Sequence, residues 1–105
     1  MSAAFKRLRG SVVDRAECRC ESCGRWCGTD GHLDHFWGRA KVSESFENCW
    51  YLCVSCDLHK TLNDPSNAWW VDVFRAHCLN HSFFDEVHRC EVRLDVLEQK
   101  GMSHE

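Results

Sequence analysis

Two pairs of cysteines, Cys20/Cys23 and Cys53/Cys56, each stand in a C-x2-C step. Thiolates three residues apart can grip one tetrahedral ion at about 2.3 Å, and two such steps close the coordination sphere, which is the pattern of a structural Zn²⁺ site. Gly24 follows the first pair and lets the backbone turn so that amides point at the sulfurs. Cys18 and Cys27 compete for the first half of the site, through Cys18-x-Cys20 and Cys23-x3-Cys27. The x2 step is the usual chelating one, which favours Cys20 and Cys23. Cys49, Cys78 and Cys90 read as small buried hydrophobes. No βαβ pattern surrounds either pair, which argues against a redox disulfide. A structural zinc can supply on the order of 10 kcal/mol toward folding. A chain of 105 residues has only a modest core, so that contribution matters.

Between and just after these pairs lie Asp34-His35, Asn48 and Asp57-Leu58-His59-Lys60-Thr61. An imidazole titrates near neutrality and can accept a proton from water, while carboxylates hold hard cations. The ordered run Cys-x2-Cys-Gly, Leu-Asp-His, Glu-Asn, Leu-Cys-x2-Cys, Lys-Thr resembles the zinc-containing branch of the HNH endonuclease family, over residues 9–62. The resemblance implies an α+β domain with a ββα-metal core, a hairpin and a helix with a catalytic cation between them. It also implies hydrolysis of a nucleic-acid phosphodiester, most simply in double-stranded DNA. In that pattern His35 is the general base and Asp34 a ligand of Mg²⁺ or Mn²⁺. Asn48 braces the loop and orients the histidine.

The chain departs from the family at one position. The residue after the last cysteine is usually His or Asn, and here it is Asp57, with Lys60 in register three residues on. His59 is the alternative second ligand, but on a helix it lies about 200° around from Asp57, so the two cannot readily share one ion. Register with Lys60 favours Asp57; a site using His59 would admit softer metals. Asp34 and His35 are neighbours on a predicted strand and point to opposite faces unless the strand end is distorted. His32 shares a strand face with Asp34 and is either a further contact to cation or phosphate or a solvated histidine. Arg39 and Lys60 are candidates for holding phosphates, and Trp37 for stacking on a base or packing on the hairpin.

The elements that must position these groups follow from the pattern. Ser11–Asp14 has capping-box form and predicts a short helix ending before Cys18. His32–Phe36 and Cys49–Cys53 read as strands that can pair only as a hairpin with a long loop. A helix is predicted from about Ser55 to Leu62, and another from Asp64-Pro65 with an apolar face of Trp69, Trp70, Val73, Phe74 and Cys78. A last helix, capped at Ser82–Asp85, carries the stripe Val87, Cys90, Leu94 and Leu97 and stops near Gly101. The chain is thus read as a single domain, 1–105, with an HNH-like core over 9–62 and a helical extension over 63–105.

The net charge of −3 does not by itself suit a nucleic-acid binder, but the charge is unevenly spread. Through Lys41 there are eight Lys/Arg against five Asp/Glu; beyond it, five against eleven. A basic first part can meet phosphate while the acidic part faces elsewhere. The start, MSAAFKRLRG, lacks the apolar stretch of a signal peptide, and no run is long enough for a membrane span. A cytoplasmic, thiol-reducing setting is therefore expected. Two other readings stay open. One is a zinc-stapled nucleic-acid or protein interaction module without catalysis. The other is a nuclease subunit active only in a phage or restriction assembly, with the C-terminal helices serving a partner or a second copy.

Overall fold

The computed structural model describes residues 3–38, 45–62 and 68–102. It divides into two compact units, one up to Leu62 and one from Asn63.

The first unit holds helix α1 (Ala3–Ala16), strands β1 (His32–His35) and β2 (Cys49–Leu52), and helix α2 (Val54–Leu62). The strands pair antiparallel, with His32 opposite Leu52, Leu33 opposite Tyr51, Asp34 opposite Trp50 and His35 opposite Cys49. This is a small α+β arrangement around a two-stranded sheet. Because side chains alternate along a strand, the sheet has two distinct faces. One carries Tyr51 and Cys49 onto Val12 and Val13 of α1, with Leu33, Leu8, Cys18 and Cys27 packed around them. The other carries His32, Asp34 and Trp50 toward α2.

Helix α1 begins at Ala3, well before the Ser11 start expected from capping chemistry. The apolar positions Leu8, Val12 and Val13 reach the sheet, and this packing extends the helix beyond its local signal. It ends with Glu17 in the left-handed conformation, φ 55°, where the Cys18 amide donates to Val13 O and the Glu17 amide to Asp14 O. That paired closure satisfies the last carbonyls of the helix.

A buried ion pair then stitches the unit together. Arg15 donates to both oxygens of Glu21, at 2.9 and 2.6 Å, and also to the carbonyls of Cys49 (2.8 Å) and Phe46. Glu21 Oε1 in turn accepts the Tyr51 amide at 2.9 Å, and the Glu21 amide donates to Tyr51 O at 2.7 Å. A bidentate arginine–carboxylate pair whose spare valences are filled by backbone is the geometry in which burying charge is least costly. It joins α1, the first cysteine turn and β2.

The second unit is a pair of helices, α3 (Ala68–Asn80) and α4 (Phe84–Met102). Trp70, Val71, Phe74, Cys78, Val87 and Cys90 are buried there. Trp69, predicted to share the apolar face, is instead 57% exposed, since it lies about 100° around from Trp70. Ser82 does not cap α4. It has φ 60° and closes α3, with the Phe83 amide donating to Cys78 O at 2.9 Å and the Ser82 amide to Leu79 O at 3.1 Å. Helix α4 also continues past Gly101 to Met102. Asp64 and Pro65, the expected start of the preceding helix, lie outside the described residues. Among the described residues no helix is long and apolar enough to cross a membrane.

Candidate functional site

The Sγ atoms of Cys20, Cys23, Cys53 and Cys56 all lie within 4.8 Å of one another, so these four cysteines can hold one metal ion such as zinc. Cys23 and Cys53 are 3.8 Å apart at sulfur. A tetrahedron with bonds of about 2.3 Å has edges of about 3.8 Å, so the spacing fits Zn²⁺. The first turn is shaped by Gly24 at φ 82°, whose amide donates to Cys20 O at 2.9 Å, while the Cys23 amide approaches Cys20 Sγ at 3.5 Å. The Arg19–Trp26 bridge closes its base. The second turn is the start of α2, where the Asp57 amide donates to Cys53 O at 3.0 Å. Cys18 and Cys27 are not part of the tetrad; they pack on the core beside Tyr51.

Electrostatics inside the tetrad fit a shared cation. Burial pushes the Cys20 and Cys56 thiols up, helped at Cys56 by the charge of Cys20. Cys53 goes the other way. Burial opposes ionisation there too, but hydrogen bonds from the Cys56 amide and from neighbouring thiols outweigh it and lower its pKa. A divalent ion bound by the four sulfurs would displace the thiol protons.

The face between β1 and α2 forms two rungs. On the first, His32 Nδ1 lies 2.7 Å from Asp57 Oδ2, with side chains 50% and 27% exposed. On the second, Lys60 Nζ lies 3.1 Å from Asp34 Oδ2 and 3.4 Å from Oδ1, with side chains 6% and 16% exposed. Trp50 Nε1 also donates to Asp34 Oδ2 at 2.8 Å. The Lys60 ammonium is further held by Phe36 O at 3.5 Å and sits 4.9 Å from the centre of the Phe36 ring. The two rungs arise because His32 and Asp34 share one strand face and Asp57 and Lys60 share one helix face.

These contacts locate the residues singled out from sequence. Asp57 faces the sheet and His59 is exposed. Lys60, expected at the surface to hold phosphate, is buried, because it neutralises Asp34. Among the described residues, the ligand atoms of Asp34, His35 and Asp57 do not converge within 4.8 Å as the four sulfurs do. His35 is half-buried at the end of β1, and its carbonyl accepts the Gly38 amide at 2.9 Å in the turn that follows. Asn48 is buried. Its Oδ1 accepts the Ser45 amide at 3.2 Å and its carbonyl the Phe36 amide at 3.2 Å, so it ties the 45–49 turn to the residue after His35. Trp37 packs edge-on against Phe36 at 4.8 Å between ring centres. Arg39 lies outside the described residues.

Sequence reasoning missed the Lys60–Asp34–Trp50 cluster and the Arg15–Glu21 pair. The one available signal was register: Lys60 is one helical turn from Asp57, so whatever places Asp57 against β1 brings Lys60 there too.

No family model, curated protein or solved structure matches this chain.

Proposed function

We propose that the first unit is an HNH-type endonuclease core that hydrolyses a nucleic-acid phosphodiester, with double-stranded DNA as the preferred substrate. The observation carrying this reading is the meeting of β1 and α2. A cysteine tetrad clamps the start of α2 beside a hairpin, and Asp57 of that helix touches the strand that bears Asp34 and His35. A zinc-stapled binding module needs no such group of imidazoles and carboxylates beside its staple.

In this reading a hairpin, a helix and a cation between them form a ββα-metal core. A divalent cation, Mg²⁺ or Mn²⁺, held at this face would supply Lewis acidity to the phosphodiester. Asp57 would hold it from α2; the family pattern also names Asp34 on β1, whose carboxylate is here engaged by Lys60 and Trp50. His35, the last residue of β1 and paired opposite Cys49 on the other sheet face, would reach round the strand end to take the proton of the attacking water as the new P–O bond forms and the P–O3′ bond breaks. Asn48 positions His35 by holding the 45–49 turn against Phe36. The basic residues of α1, Lys6 and Arg7, are exposed and available to phosphates.

One observation favours a second reading, a zinc-stapled interaction module without catalysis: the Asp34 carboxylate is already engaged by Lys60 and Trp50. A supercoiled-plasmid nicking assay separates the two. Metal-dependent nicking by the wild type, lost in His35→Ala, supports the nuclease. An absence of nicking in Mg²⁺ and Mn²⁺ supports the binding module or a subunit that needs its assembly.

A further inference from the structure

We infer that the cation at the β1–α2 face is held by His32 and Asp57, and that Asp34 is a positioning residue rather than a ligand. Use of this cation in catalysis rests on the nuclease reading; its binding does not.

The two rungs differ in what they can give up. Asp34 Oδ2 accepts from both Trp50 Nε1 and Lys60 Nζ, in surroundings that leave its side chain 16% exposed and that of Lys60 6% exposed. Drawing Asp34 onto a dication would strip a buried ammonium of its counter-charge, and would set that ammonium against two further positive charges in a poorly screened place. Both changes are costly. The His32–Asp57 rung carries no such debt. It is open to water, and among the described residues the two side-chain atoms that meet, Nδ1 and Oδ2, engage only each other, at 2.7 Å.

The spacing also suits a cation. Two ligands with metal bonds of about 2.1 Å, at right angles, stand about 3 Å apart. The imidazole and carboxylate therefore need to part by only a few tenths of an ångström. A cation set between them would keep its remaining positions toward solvent, where waters and a phosphate oxygen can enter. The contact is set by the fold at both ends. Asp57 is fixed in the first turn of α2 by the cysteine staple, and His32 by its pairing opposite Leu52.

The donor set carries a selectivity. One imidazole and one carboxylate favour first-row transition ions over Mg²⁺, whose preference is for oxygen alone. Mn²⁺ is therefore expected to bind more tightly than Mg²⁺. Where the family pattern has His or Asn after the last cysteine, this chain has Asp57, and a histidine arrives from the strand instead.

The experiment is Mn²⁺ binding to the tag-free, zinc-loaded full chain, read by calorimetry and by electron spin-echo modulation from a directly bound imidazole nitrogen. The wild type is expected to bind one Mn²⁺ with that nitrogen signature. His32→Gln is expected to lose it and to bind Mn²⁺ more than about tenfold more weakly, since even a group that only orients a ligand is worth about 10–100-fold. His35→Ala and His59→Ala are expected to keep the signature, as is Asp34→Asn. Persistence of the nitrogen signature in His32→Gln, or no Mn²⁺ binding by the zinc-loaded wild type, overturns the inference. Nicking that survives His32→Gln with an unchanged metal requirement also overturns it while leaving the nuclease reading intact. Mn²⁺ held through His32 by a protein that nicks nothing supports the inference and removes the reading of this chain as a nuclease active on its own.

Discussion

The ammonium of Lys60 and the carboxylate of Asp34 meet at 3.1 Å inside the first unit, each almost closed off from water. Because the pair is buried, removing one partner costs more than the pair contributes. Lys60→Met is expected to destabilise the protein by about 3–5 kcal/mol. The double variant Lys60→Met/Asp34→Asn should recover much of that loss, since an amide still accepts from Trp50 and leaves no buried charge. Urea denaturation of the wild type and the two variants checks this; equal stability of the single and double variants would contradict it.

The tetrad makes a sharper distinction among the nine cysteines. Cys20→Ser and Cys56→Ser are expected to lose bound zinc and, with it, the folded first unit. Cys78→Ser, at a buried position of α3 and not one of the tetrad cysteines, should keep one equivalent of zinc. Metal analysis of purified protein reads the result directly. Strong chelators should unfold the wild type in the same way.

Asp57 and His59 are two residues apart on α2 but face different surroundings, one toward β1 and the other toward solvent. Under the nuclease reading, Asp57→Ala is expected to lower the nicking rate by at least about 10–100-fold, whereas His59→Ala leaves it within a small factor. His35→Ala is expected to cost about 10²–10⁴-fold as loss of a general base. A reversed order for positions 57 and 59 would move the cation to the other side of the helix.

Tyr51 closes the sheet over the loop that leads into β1. Its hydroxyl donates to Gly28 O at 2.7 Å and accepts the Gly31 amide at 2.8 Å, with the side chain fully buried. Tyr51→Phe leaves that buried amide and carbonyl without their partner, at a cost of about 1–3 kcal/mol. Gly31→Ala should be worse, because a Cβ there would stand 2.5 Å from the ring of Tyr51. Thermal denaturation ranks the two.

Burial pushes the Cys90 thiol up to about 12, with Glu86 adding to the effect. An unfolded thiol ionises from its ordinary value of 9.0, so between pH 9 and about 12 the unfolded state loses a proton that the folded state keeps. Stability contributed by Cys90 is therefore whole below pH 9 and declines above it, by up to about 1.4 kcal/mol per pH unit. Cys90→Ala is expected to flatten that slope. Denaturation at pH 8, 9 and 10 shows whether the alkaline slopes of wild type and variant differ.

Much of this molecule is written in local terms. The x2 steps named the four tetrad cysteines, because chelation depends on spacing that a short turn sets by itself. Alternation named the strands and put Asp34 and His35 on opposite faces, and helical register put Asp57 and Lys60 on one. What stayed hidden depends on distance in space. Helix α1 runs eight residues beyond its capping signal because the sheet accepts its apolar side. Trp69 and Trp70 part company because burial is decided by neighbours, not by hydrophobicity alone. Above all, the pairing of charges was settled only when β1 and α2 came together. A lysine, two carboxylates and a histidine can combine in several ways, and each combination looks the same in sequence. Packing buries the rung that neutralises itself, Lys60 with Asp34, and leaves at the surface the rung of an imidazole and a carboxylate, His32 with Asp57.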